Sequence, residues 1–197
     1  MAMHARRPGD AQLAAFVTSA RVYMQDAPID LDGFYRADRH FGPDGRTPDK
    51  VGQALIAMGR MTRTPERLAV TGADTSGFAI QAGRTRDGRA VQVLVSNYEI
   101  PEADRGPRTG PDVFKVPGLF EMALPPRRAV SYERNRGYEL TVTGLPRSAK
   151  YRVQRYRISE RDDFSKVAET RSSGPTLSLS VDLPPPAVEL IVIETAE

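Results

Sequence analysis

The run VQVLVSNYEI, residues 91–100, alternates apolar side chains and then presents Ser96, Asn97, Tyr98 and Glu99 at its end. A carboxylate at the mouth of a strand can serve as a general acid or a nucleophile. Such work needs a second carboxylate at a fixed separation on a rigid scaffold. The nearest in sequence, Glu102 and Asp104, fall in a stretch rich in Pro and Gly that offers no scaffold of that kind. Glu99 therefore reads as a structural residue, and no catalytic residue is assigned. His4 and His40 are the only histidines, far apart and one of them in a ragged terminus. They make a poor base or metal site and read as ordinary surface residues. With no cysteine, thiolate chemistry and disulfides are excluded. No Ser-centred elbow, phosphate loop or dinucleotide glycine pattern occurs, and GADTSG (72–77) lacks the lysine and helix that a phosphate cradle requires. No metal and no cofactor are expected.

Two binding chemistries remain. In YRVQRYRI (151–158), Arg152, Arg155 and Arg157 stand among Tyr151 and Tyr156. A phosphate-binding face needs cations gathered on one side with interleaved aromatics, whereas here arginines alternate with acids along most of the chain, so no nucleic-acid partner is expected. Sugars stack on exposed aromatic rings, tryptophan above all, and Trp is absent. Tyr98, Tyr132, Tyr138, Tyr151 and Tyr156 are the substitutes on offer, yet most lie in strand-like runs where packing is the default.

The elements that would position these residues change character along the chain. Asp10 is a good cap for AQLAAFVTSARVYM, where Leu13, Phe16, Val17, Ala20 and Met24 form a helical stripe. IDLDGFYRAD (29–38) reads as a strand running into a loop. Thr47 and Pro48 are placed as cap and first residue of a second helix, DKVGQALIAMGRM, with Val51, Leu55 and Met58 inward. Beyond about residue 65 the period becomes two. GFAIQAG and AVQVLVS flank an Asp87-Gly88 turn, and further strands read from 138–144, 149–159, 176–183 and 188–195. Residues 98–136 form a Pro- and Gly-rich connection, expected to be mobile in part or a docking surface. Chain length allows one medium domain with a smaller piece, and a complete α/β barrel, typically about 250 residues, does not fit. No run of about 18 apolar residues spans a membrane, and the N-terminus lacks the apolar core of a signal peptide, so the chain as written is expected to be cytoplasmic.

AAFVTSARVYMQDAPIDLDGFYRAD followed by GPDGRTPDKVGQALIAMGRM resembles the last helix, strand and helix of the catalytic barrel in glycoside hydrolases of family 39, the β-xylosidase type. TPERLAVTGADTSGFAIQAGRTRDGRAVQVLVSNYEIP resembles the start of that family's C-terminal β-sandwich, and GYELTVTGLP and LPPPAVELIVIE its closing strands. The resemblance implies a retaining mechanism with two glutamates about 5 Å apart, one of them in an Asn-Glu pair on the fourth barrel strand and the other on the seventh. The chain has no Asn-Glu dipeptide, and its match starts after the seventh strand. If 29–35 is the eighth strand, Tyr35, Arg36 and Asp38 emerge on the active-site face as substrate-binding candidates.

The expectation is thus a mainly β chain: a helix-strand-helix remnant of a (β/α)8 barrel over 1–65, then an antiparallel β-sandwich over 66–197. It is expected to be inactive alone and to support carbohydrate hydrolysis by a barrel outside the chain. The alternative is a free-standing sandwich module that binds polysaccharide or a protein. A remnant should also leave its first helix exposed, free to meet a catalytic barrel or a second copy.

Overall fold

The computed structural model describes residues 10–28, 37–74, 77–100 and 136–196, together with the backbone of 113–116 and 120–123. The chain is mainly β, an antiparallel sandwich preceded by two helices. The expected strand at the start of 29–38 lies outside the described residues, as do Tyr35, Arg36, His4, Glu102, Asp104 and Tyr132.

Helix α1 (Ala11–Met24) starts where Asp10 accepts a hydrogen bond from the Leu13 amide at 2.7 Å, which satisfies one of the orphan donors of the first turn. Helix α2 (Lys50–Arg60) is capped by Asp49, whose carboxylate accepts from the Gly52 amide at 2.9 Å. Thr47 and Pro48 are therefore not its cap and first residue. The Thr47 hydroxyl is already engaged, donating to Asp44 Oδ2 at 2.6 Å, while Asp44 Oδ1 accepts from the Arg46 and Thr47 amides. The carboxylate of Asp49 takes the capping position instead.

Ten strands follow. They are β1 (Glu66–Arg67), β2 (Phe78–Arg84), β3 (Ala90–Asn97), β4 (Val113–Val116), β5 (Phe120–Ala123), β6 (Gly137–Thr143), β7 (Lys150–Ile158), β8 (Asp163–Ser173), β9 (Thr176–Asp182) and β10 (Ala187–Ala196). A six-stranded sheet runs β1-β2-β3-β10-β7-β8, and β6 pairs with β9. The β2–β3 hairpin turns at Asp87-Gly88, with Gly88 at φ +69°, a conformation that costs a side chain more than it costs glycine. Within 98–136, β4 and β5 pair as a hairpin of their own.

Alternation then sorts residues into two cores. Val91, Val93, Val95, Ala187, Ile191 and Ile193 face Leu177, Val181 and Leu183 of the β6–β9 layer. Leu94, Val188, Leu190 and Val192 face the opposite way, against Ala14, Ala15 and Val17 of α1 and Val51, Ala54 and Ala57 of α2. Strands β3 and β10 are consequently buried on both faces.

The helices thus cover the sheet's outer face. The stripe expected to be exposed on α1 is split: Val17 is buried, Leu13 is half-buried against the cluster, and Phe16 is 45% exposed. The face turned inward is the small one, Ala11, Ala14, Ala15, Thr18, Ser19 and Val22, because helix separation is set by side-chain size at the contact. Strand β8 was not anticipated. It is an edge strand whose pattern is mostly exposed and carries Lys166, Glu169 and Arg171, so it lacks an apolar alternation to read.

Candidate functional site

The end of β3, which looked like an active-site strand, is locked by packing. Ser96 is fully buried and donates to the Ala15 carbonyl at 2.9 Å; Ser19 Oγ lies 2.9 Å from Ser96 Oγ and 2.8 Å from the Gly77 carbonyl. Asn97 is buried and donates to the Leu183 carbonyl at 2.7 Å. Tyr98 packs edge-on against Phe16, ring centroids 5.4 Å apart. The Glu99 backbone carbonyl accepts from Gln12 Nε2. These groups seam α1 to the sheet.

The deepest charge is elsewhere. Glu189 points from the middle of β10 into the sandwich and is fully buried. Register sets Arg157 of β7 directly opposite and Arg155 two residues away on the same face. Glu189 Oε1 accepts from Arg155 Nε at 2.6 Å, and Oε2 from Arg157 at 2.9 Å and 3.0 Å. Tyr138 donates to Oε1 at 3.3 Å. The Glu189 hydrogen bond raises the Arg155 pKa further, while burial, and then the Glu189 charge, push the Tyr138 hydroxyl well above its ordinary value, so it remains a donor. Both carboxylate oxygens of Glu189 are engaged by a cation or a hydroxyl, an arrangement that ties β10 to β7 within the sheet and to β6 across the sandwich. Composition gave no sign of it, since Glu189 sits in the apolar run AVELIVI.

The arginines read as nucleic-acid candidates are thereby placed: Arg155 and Arg157 on Glu189, and Arg152 on Glu194 at 2.8 Å. Tyr151 is buried and donates to the Pro146 carbonyl, and Tyr156 faces Phe164 at 5.8 Å. A cleft of about 590 Å³ lies between β2, β3 and β6, floored by Phe78, Ile80, Val93, Val95 and Leu140. Its floor is apolar, and Thr71, Tyr138, Glu139, Thr141 and Thr143 also line it.

Of the three substrate-binding candidates, Asp38 is described. It is exposed, in a 3-10 turn, Ala37–His40, just before α2. The turn is anchored by His40, which is buried rather than an ordinary surface residue. His40 Nδ1 lies 2.8 Å from Asp49 Oδ2, and its carbonyl accepts the Asp49 amide at 3.0 Å. Gly52 presses on the same carbonyl so closely that an added Cβ would meet it at 2.3 Å. Downstream, Lys50 Nζ donates to Asp163 Oδ1 at 2.8 Å and to the Asp162 carbonyl at 3.1 Å. That hydrogen bond leads the causes that lower the Asp163 pKa. Among the described residues no group of three or more His, Asp or Glu side chains is disposed to hold a metal ion, and no helix is long and apolar enough to cross a membrane.

Comparison with protein-family models and with curated proteins gives no match. Among solved structures, the chain is similar over its whole length to a glucosidase from Croceicoccus marinus, with 32% identity and a TM-score of 0.81, covering 44% of that chain. A GH39 enzyme from Xanthomonas axonopodis pv. citri matches 95% of this chain at 10% identity and a TM-score of 0.59, with 41% of that chain covered. The second likeness is one of fold alone. The chain's solved neighbours are glycoside hydrolases, and it spans less than half the length of each of these two.

Proposed function

We propose that this chain is the non-catalytic C-terminal β-sandwich portion of a glycoside hydrolase of the family 39, β-xylosidase type, with the last barrel segment in residues 1–65 and the sandwich in 66–197. The observation that carries the reading is the match to a glucosidase over all of this chain and 44% of that one. The buried, fully engaged state of Ser96, Asn97 and Glu189 agrees with it, since the polar groups that could have supplied chemistry serve packing instead. On this reading the catalytic glutamates belong to a barrel outside the sequence, and the sandwich supports it from the flank. Tyr35, Arg36 and Asp38 then lie at the sugar-binding rim, and carbohydrate meets the chain there.

The test is hydrolysis of aryl glucosides and aryl β-xylosides by the purified 197-residue chain and by the same chain joined to an upstream barrel. The reading expects turnover only from the longer protein. Robust turnover by the short chain, abolished by Glu99→Gln, would refute it.

A further inference from the structure

The start of β8 makes an unusual grip on α2. Phe164 is the one non-glycine residue at positive φ among the described residues, +47°, a conformation that strains a side chain with a Cβ. It falls where the β7–β8 ladder shifts register, between Arg157 and Ile158. The strained backbone aims its ring at the helix layer, where Arg60, at the end of α2, lies over Phe164 at 4.7 Å and over Tyr156 at 5.2 Å. One residue earlier, Asp163 accepts from Lys50 Nζ, at the start of α2, at 2.8 Å and from Gln53 Nε2 at 3.4 Å. The first two residues of β8 therefore hold both ends of one helix. The first turn of that helix in turn fixes the loop before it, through the Asp49 cap on His40 and the contact of Gly52 with the His40 carbonyl. His40 closes the 3-10 turn that carries Asp38.

We infer that Asp163 and Phe164 are positioning residues: through α2, Asp49 and His40 they set the place of the 37–49 loop and its Asp38. This rests on the proposed reading for its functional half, because Asp38 matters to a sugar only if the loop borders the glycosidase site. Its physical half stands on contacts within the chain.

Amide hydrogen exchange on the full 197-residue chain tests the physical half. Phe164→Gly removes the ring and relieves the backbone together, so an idle Phe164 would yield a protein at least as protected as the parent. The inference expects the opposite for Phe164→Gly and Asp163→Asn: exchange over residues 37–60 faster by about tenfold or more, with β6 and β9 unchanged. Gly52→Ala, which acts directly on the His40 carbonyl, should speed exchange over 37–49 without any change at β8. Should Phe164→Gly fail to fold, Phe164→Leu, which keeps apolar volume but loses the ring stacking, is expected to show the same pattern in weaker form. Unchanged exchange at 37–49 in Asp163→Asn and in the Phe164 variant overturns the inference.

In the protein joined to its barrel, the same substitutions should raise KM several-fold with kcat little altered, and Asp163→Glu should restore part of the loss. Hydrolysis that is unaltered while exchange at 37–49 has quickened also overturns the positioning role. A parent protein with no hydrolysis at all refutes the glycosidase reading, whereas the exchange result then still decides whether Asp163 and Phe164 hold the 37–49 loop in place.

Discussion

Glu189 shows how a buried carboxylate is committed to structure. It is fully buried, while the side chains of Arg155 and Arg157 keep 18% and 19% of their exposure. Removing the buried partner strands two cations at the sandwich edge, so Glu189→Gln should destabilise the chain by about 3 kcal/mol in denaturant unfolding. A loss under about 1 kcal/mol would mean that the arginines find water freely. Asp44 behaves differently because it is exposed. The Thr47 hydroxyl first, then the Arg46 and Thr47 amides, hold its carboxyl at about 2, below the ordinary 3.8. A carboxyl depressed in the folded state favours folding above 3.8, and the contribution is lost as pH falls through 2. Carboxyl NMR titration should give a midpoint of about 2 for Asp44 that moves upward in Thr47→Val. The Asp10 and Asp87-Gly88 signals were readable from sequence because each acts within a few residues. Glu189 was hidden because its partners are 32 and 34 positions away, on another strand.

At the scale of elements, α1 shows where hydrophobicity alone misleads. The stripe of Leu13, Phe16, Val17, Ala20 and Met24 is the more apolar, but the buried face is the smaller, with Ala14 and Ala15 set in one cluster with Ala54 and Ala57 of α2. Close approach of two helices and a sheet rewards small side chains with more contact along the whole length. Ala14→Leu should therefore cost about 2 kcal/mol by overpacking. Phe16→Ala, which removes a half-exposed ring leaning on Tyr98, should cost about 1 kcal/mol. The reverse order, measured by thermal or denaturant unfolding, would contradict this account of the interface. Strands with one buried face, such as β9 with Leu177 and Val181, were legible from alternation. The edge strand β8 and the hairpin β4–β5 were not. The first lies mostly in solvent, and the second has four-residue strands inside a Pro-rich stretch, where composition outweighs periodicity.

At the scale of the molecule, the change of period near residue 65 marked the passage from helices to sheets, and the fold class followed from it. What the pattern did not convey is that both helices lie on the sheet itself, so that β3 and β10 are central in three stacked layers. Periodicity reports which side of an element is apolar; it does not say which other element covers it. The proposed function rests on resemblance, because the residues that would perform hydrolysis are placed by the proposal outside the chain. Its central claim concerns what the chain is attached to in life. The mass of the native polypeptide in source cells, read by immunoblot with an antibody against the sandwich, tests this most directly. The account predicts a band well above 21.7 kDa. A single band at 21.7 kDa would contradict it and make this chain a module that works without an attached barrel.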